Sequence, residues 1–340
     1  MARKPTSINP VLQTLLDTRR GPQYVTDATA QGTVNPNAPG SGVIGISDPR
    51  TLLTSIVDVA VSVGAQAIRA EFHWSQIEPS EGSAYQWAPY DAMVANATSH
   101  GLGISGIVTY IPDWLLAKGW PDIEARFIPF VEVLFERYPD VETWEIFNEP
   151  NLPGYGWLKK SSESGWSGIK AFDFAGEYLI LLARANVALR QKAPDGWIVL
   201  GGLANHSSDG SFVDLETWVG FVHQYGGLPC YDIFAFHPYG YQAQFPAARA
   251  RVDAVNTGNR SVWFNEYGWT DWQAMDMAIN PDYEANPLIR TLTDADAQCD
   301  VFFHFALADY SVSGPAFGLY SYSGSRRPGA DTFQWYMGQR

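Results

Sequence analysis

The 340 residues carry 22 Lys plus Arg against 36 Asp plus Glu, a formal net charge of −14. That balance gives no overall attraction for nucleic acid or an anionic membrane surface. Hydrophobic residues make up 46% and charged residues 17%, which excludes a wholly disordered chain and supplies one large core.

The N-terminal stretch MARKPTSINPVLQTLLDTRR has charge but no continuous apolar segment, so it does not read as a secretory signal. The expected location is therefore cytoplasmic, or outside the cell by a route without a signal, as in a virion. No apolar run is long enough to span a bilayer. Residues 1–42, rich in Gly, Pro, Asn and Thr towards their end, read as an irregular arm, and residues 43–340 as one domain.

From Val43 onward, short apolar runs alternate with longer amphipathic ones. Val43–Ile46 reads as a strand, with a helix over 52–63. Ala65–Trp74 is the second strand and 92–99 its helix. Leu102–Tyr110 is the third strand, followed by a helix over 123–137 in which Phe127, Phe130, Val131 and Leu134 share a face. Val141–Asn148 is the fourth strand, with a long helix over 174–189. Ile198–Leu203, Tyr231–His237 and Ser261–Glu266 are the next three, with helices over 215–225, 247–255 and 294–307. The eighth strand is placed near 316–320 or slightly earlier. Eight strand–helix steps with near-continuous apolar strands predict an α/β protein with a closed parallel sheet, a (β/α)8 TIM barrel. No glycine-rich phosphate loop follows the first strand, which argues against a doubly wound open sheet.

Barrel chemistry sits where strands end at their C-terminal side. The fourth strand runs out in Asn148-Glu149-Pro150 and the seventh in Asn265-Glu266-Tyr267. These strands face each other across an eight-stranded mouth, so Glu149 and Glu266 can flank one bond. Paired carboxyls are what glycoside hydrolysis requires. One protonates the leaving oxygen; the other attacks the anomeric carbon or activates water, according to their separation. Two such charges about 5 Å apart repel by roughly 3 kcal/mol at an effective dielectric near 20, enough to favour keeping one of them protonated. The 13 Trp and 17 Tyr residues offer flat faces for sugar rings, though most are expected to fill the core.

WEIFNEPN at Trp144–Asn151 and NEYGW at Asn265–Trp269 resemble the acid/base and nucleophile motifs of the clan A glycoside hydrolases, the retaining barrel group of cellulases, xylanases and β-xylosidases. IRAEFHWSQIEPSEG at Ile68–Gly82, YIPDW at Tyr110–Trp114 and FHPY at Phe236–Tyr239 resemble its second-, third- and sixth-strand ends. The resemblance spans Ile68 to Pro328. It implies Glu149 as acid/base, Glu266 as nucleophile, Asn148 on a sugar 2-hydroxyl and Arg69 supporting the nucleophile. It also implies that His237 and Tyr239 line the site. Trp74, Trp114 and Trp269, in the same motifs, are expected to bind substrate. Arg69 can equally form a barrel-interior ion pair with Glu145, which should point inward and be structural. Glu71 and Glu78 read as loop or structural groups, and His73 as either a core or a site histidine.

One departure stands out. The clan places a Trp after strand eight as a floor for the reacting sugar, and the stretch Phe303–Asp309 has none. The expected activity is cleavage of O-glycosidic bonds in a polysaccharide by double displacement, endo-acting, with no cofactor and no metal. The alternatives are a furanosidase on arabinan or galactan, or a non-catalytic glycan-binding component of a phage-like particle. Long loops over 152–171, with Tyr155, Trp157 and Trp166, and over 270–290, with Trp272 and Tyr283, are expected to wall a sugar cleft.

Overall fold

The computed structural model describes residues 42–50, 54–152, 169–205, 213–241, 244–258, 260–269, 286–309 and 317–340. The N-terminal arm up to residue 41 and the loop aromatics Tyr155, Trp157, Trp166, Trp272 and Tyr283 lie outside the described residues.

In chain order the elements are β1 (Val43–Ser47), α1 (Thr54–Ser62), β2 (Ala67–His73), α2 (Trp74–Ile77), α3 (Ala88–Ser99) and β3 (Gly103–Thr109). Then come α4 (Asp113–Leu116), α5 (Trp120–Arg137), β4 (Thr143–Ile146), α6 (Ile169–Lys192), β5 (Trp197–Leu200) and β6 (Leu203–Ala204). The chain closes with α7 (Leu215–Gln224), β7 (Ile233–His237), α8 (Phe245–Val255), β8 (Ser261–Tyr267), α9 (Pro287–Gln298), β9 (Val301–Phe305) and α10 (Pro328–Met337). Neighbouring strands run parallel, and the order β5-β4-β3-β2-β1-β9-β8-β7 closes on itself through a β5–β7 pairing. The two-residue β6 extends the fifth stave and pairs with β7. The architecture is a closed (β/α)8 barrel.

Strand alternation sorts the side chains into two cores. One parity fills the barrel: Ala67, Val199, Ile233, Ala235, Trp263, Val301 and Phe303 form a cluster of their own. The other parity faces the helices, where Phe72 packs on Tyr90, Tyr138 and Trp144. Helix starts follow their local chemistry. Asp214 accepts from the Thr217 N–H at 2.7 Å to cap α7. Asn286 accepts from Leu288 and Ile289 to cap α9, with Pro287 at its first turn. Cys230 and Cys299 are free and buried, and burial pushes both thiols up, the first to about 12.

The eighth stave corrects the sequence reading. Helical periodicity carries from Asp294 to Leu307, but α9 ends at Gln298 and Cys299 is already extended. Asp300 stops the helix by turning to the next strand: its backbone N–H reaches Val262 O at 2.8 Å and its carboxylate accepts from Val262 N at 2.9 Å. Val301–Phe305 then alternates, with Val301 and Phe303 inside the barrel and His304 against the Phe333 ring of α10. A strand buried on both faces has no polar side to betray its period of two.

A second irregularity positions chemistry. The β8–β9 register slips between Phe264 and Tyr267. A bulge of this kind bends a strand and re-aims its side chains.

Candidate active site

Above the apolar layer the barrel interior turns charged. Arg69, two residues along β2 from Ala67, is buried and spends all five N–H groups on five acceptors. Its Nε and Nη2 grip the two oxygens of Glu145 at 2.8 and 2.9 Å. Nη2 also reaches Asn148 Oδ1 at 2.7 Å, and Nη1 reaches Ser47 Oγ at 3.1 Å and Glu266 Oε2 at 2.9 Å. Arg69 thus bonds the two carboxyl groups at once, Glu145 through Nε and Nη2 and Glu266 through Nη1. Burial alone would pull its pKa down, but the Glu145, Glu266 and Glu71 charges outweigh that and push it up, so it stays cationic.

Glu145 is buried on the inward face of β4 and structural, as its register implies. Beyond Arg69 it accepts from Gly202 N at 2.7 Å and Asn265 Nδ2 at 2.8 Å. One carboxylate thus ties β2, β4, the fifth stave and β8 together.

Glu149 stands on a tight turn. Phe147 and Glu149 both take positive φ, 60° and 46°, a left-handed conformation that costs a non-glycine residue roughly 1–2 kcal/mol. Surrounding bonds hold the turn in place. Phe147 N donates to Val108 O at 2.9 Å and Glu149 N to Gly202 O at 3.0 Å. Asn151, the last residue of the motif, accepts from Ala204 N and donates to Ala204 O and Val213 O. Gly201 and Gly202 are glycines because the turn leaves no room. A Cβ on Gly201 would lie 2.2 Å from Phe147 O, and one on Gly202 would lie 2.2 Å from His237 Nε2.

His237 ends the inward face of β7, fully buried, with Nδ1 2.9 Å from Glu149 Oε1. The Tyr239 hydroxyl donates to Glu266 Oε1 at 3.2 Å. Glu266 therefore receives donors on both oxygens, from Arg69 and Tyr239. Burial pushes its carboxyl above the ordinary glutamate range; the Glu149 and Glu71 charges add to this, while His237 and Arg69 oppose it. The contacts bring six of the nine expected residues together: Glu149, Glu266, Arg69, Asn148, His237 and Tyr239. Asn265 and Glu266 are consecutive, yet one bonds the central Glu145 and the other joins the site. The β8 bulge allows this where plain alternation would forbid it.

The three tryptophans are different. Trp74 is a correction: it is fully buried, stacked on Phe130 with centroids 4.8 Å apart, its indole N–H donating to Glu78 at 3.0 Å. It follows the inward His73 and so turns outward into the helix layer, with no face left for a sugar. Trp114 donates to Glu78 O at 3.1 Å and lines a cavity of about 370 Å3 with Glu81, Lys118 and Arg126, a lining without Glu149 or Glu266. Trp269 donates to Thr291 of α9 at 2.9 Å and sits edge-on to Tyr267. Glu78 is buried and paired with Arg126, hence structural.

Two features were missed in the sequence. Phe305 ends the inward face of β9, opposite Ser47, half-buried and edge-on to Phe317. It is the aromatic that the eighth stave supplies where a Trp was sought. Glu71 is neither in a loop nor part of the buried frame. It is a β2 residue on the Arg69 face, 14% exposed, paired with His73 at 2.5 Å. The R-x-E-x-H alternation was the available signal. Among the described residues no group of side chains could hold a metal ion, and no helix is long and apolar enough to cross a membrane.

No protein-family model and no curated protein matches this sequence. Solved structures do. A family 39 glycoside hydrolase from Bacteroides cellulosilyticus WH2 superposes with a TM-score of 0.62 at 17% identity, over 86% of this chain and 63% of its own. An exo-β-1,4-mannosidase from Opitutaceae bacterium strain TAV5 gives 0.62 at 14%, over 91% and 61%. A β-glycosidase from Pyrococcus horikoshii gives 0.58 at 16%, over 84% of each chain. The chain thus spans under two thirds of the first two structures' length. What these glycoside hydrolases share with this chain is the fold, a (β/α)8 barrel.

Proposed function

We propose that this protein is a retaining O-glycosidase in which Glu266 attacks the anomeric carbon and Glu149 serves as acid and then base. The observation that carries the reading is the unequal dressing of the two carboxyls at one barrel mouth. Glu266 is met by a guanidinium N–H and a phenol O–H, both of which favour an ionised nucleophile. Glu149 is met only by an imidazole nitrogen among the hydrogen bonds described.

The imidazole Nδ1 and Glu149 Oε1 share one hydrogen, which orients the carboxyl. In the first half-reaction the Glu149 proton passes to the leaving oxygen as Glu266 forms the glycosyl-enzyme bond. In the second half-reaction Glu149, now a carboxylate, draws a proton from water as that water attacks the glycosyl-enzyme carbon and frees Glu266. The related structures include a mannosidase and a β-glycosidase, which supports a carbohydrate substrate. Endo action on a polysaccharide is part of the same proposal.

The test is a glycan panel with the product anomer followed by proton NMR. Wild type should release product with retained configuration, and Glu149→Ala and Glu266→Ala should each lose about a thousandfold or more in kcat on an unactivated substrate. Inverted product would move Glu266 from nucleophile to general base. Near-normal rates in both variants would discard the mechanism. Binding without turnover across the panel would favour a glycan-holding module.

A further inference from the structure

The mouth holds a third carboxylate that the proposed double displacement does not use. Arg69, Glu71 and His73 alternate along one face of β2, and their neighbours across β3 are Ser105, Ile107 and Thr109. Arg69 contacts the nucleophile. Glu71 is two residues further up, roughly 6–7 Å along the strand, on the same inward face and towards the open end. Its side chain is 14% exposed, against 14% for Glu266 and 12% for Glu149, and its charge acts on Glu266.

The way Glu71 is held sets it apart from a structural ion pair. Gln76 Nε2 donates to His73 Nδ1 at 3.1 Å, which puts the His73 hydrogen on Nε2, aimed at Glu71 Oε2 at 2.5 Å. The His73 ring is pinned from the other side by Tyr110, with centroids 4.5 Å apart, and its carbonyl accepts from the Tyr90 hydroxyl at 3.4 Å. One carboxylate oxygen is therefore fixed. Among the described residues no donor reaches the other, Oε1. Glu145, two staves away on β4, has both oxygens doubly satisfied. A buried frame closes its valences; Glu71 is braced on one oxygen and left open on the other. An oriented carboxylate with one oxygen left open beside the site is an acceptor for hydroxyl groups.

The surrounding charge narrows the class of sugar. Glu71, Glu145, Glu149 and Glu266 share this end of the barrel, and among the described residues Arg69 is the guanidinium bonded among them. An anionic sugar would bring a further negative charge into that field. We infer that Glu71, braced by His73, is a specificity-determining residue that accepts hydrogen bonds from hydroxyls of the sugar being attacked, and that this sugar is neutral rather than a uronate. The inference rests on the glycosidase reading above.

The experiment is steady-state kinetics of wild type, Glu71→Gln, His73→Ala and His73→Gln. The substrates are a panel of neutral 4-nitrophenyl glycosides, both pyranosides and furanosides, and the matching glucuronide. Wild type should cleave at least one neutral glycoside and disfavour the glucuronide by about a hundredfold. Glu71→Gln should raise KM for the preferred neutral glycoside roughly ten- to a hundredfold, with kcat within about threefold, because a hydrogen bond to a charged group is lost from ground and transition states alike. It should also shrink the preference over the glucuronide. His73→Ala should raise KM in the same direction, and His73→Gln, which keeps a donor towards Glu71, should restore most of it. A merely structural role would lower the melting temperature and leave the sugar preference in place. Unchanged KM and preference in folded Glu71→Gln, with active wild type, overturns this inference alone. A wild type that cleaves no glycoside overturns the glycosidase reading and this inference with it.

Discussion

Glu266 carries two opposed demands at the scale of one residue. As the proposed nucleophile it must be ionised to attack, yet it is buried beside two further carboxyl groups. Burial raises its pKa first, then Glu149 and Glu71, while His237 and Arg69 pull the other way. The sign of the consequence is definite. In the proposed mechanism a raised pKa means that Glu266 is protonated, and activity lost, as pH falls through a value above the ordinary glutamate range. Removing the Glu71 charge lowers that pKa, so Glu71→Gln should carry the acidic limb of the kcat/KM profile to lower pH. A limb at the same pH in both proteins would show that Glu71 does not act on the nucleophile electrostatically. The raised carboxyl also opposes folding: its contribution is present at low pH and is lost as pH rises through the folded value.

Elements explain why some residues were legible and others were not. Seven staves follow from short apolar runs between amphipathic segments, and both catalytic candidates follow from an acid placed where such a run ends. Trp74 shows the limit of motif position. One residue past an inward His73, strand parity sends it outward, onto Phe130 and Glu78. Trp74→Phe should therefore cost about 1–3 kcal/mol in urea unfolding, through the Glu78 acceptor left without its N–H, and leave KM unaltered. A raised KM at full stability would return Trp74 to the binding surface. The eighth stave was hidden because Val301–Phe305 is buried on both sides and carries no polar face. The placement of Asn265 and Glu266 depends on a bulge between Phe264 and Tyr267, and no residue in that stretch is a glycine or proline that would announce it. Glu71 was legible by parity alone, but a lone acid in a strand carries no sign of the partner that orients it.

At the scale of the molecule, two cores meet different solvent conditions. The outer core contains His304, fully buried against α10 with its pKa pushed down to about 4 by burial. The unfolded chain titrates this group near 6.5. Between those values the unfolded state binds more protons, so stability rises with pH across the window and is lost on acidification from about 6.5 to 4. Complete loss amounts to about 3 kcal/mol. His223, also pushed down to about 4 by burial and by Arg260, acts in the same direction from a more open position. His304→Phe should flatten the pH dependence of urea midpoints over this range; parallel curves for variant and wild type would remove His304 as the cause. The charged inner layer has another kind of consequence. Ser47, Arg69 and Glu145, with Asn265, belong to staves and not to the rim, and they fix the reactive groups from underneath. Segments beyond the strand ends could then be exchanged with those of other barrels while this layer keeps Glu266 and Asn148 anchored.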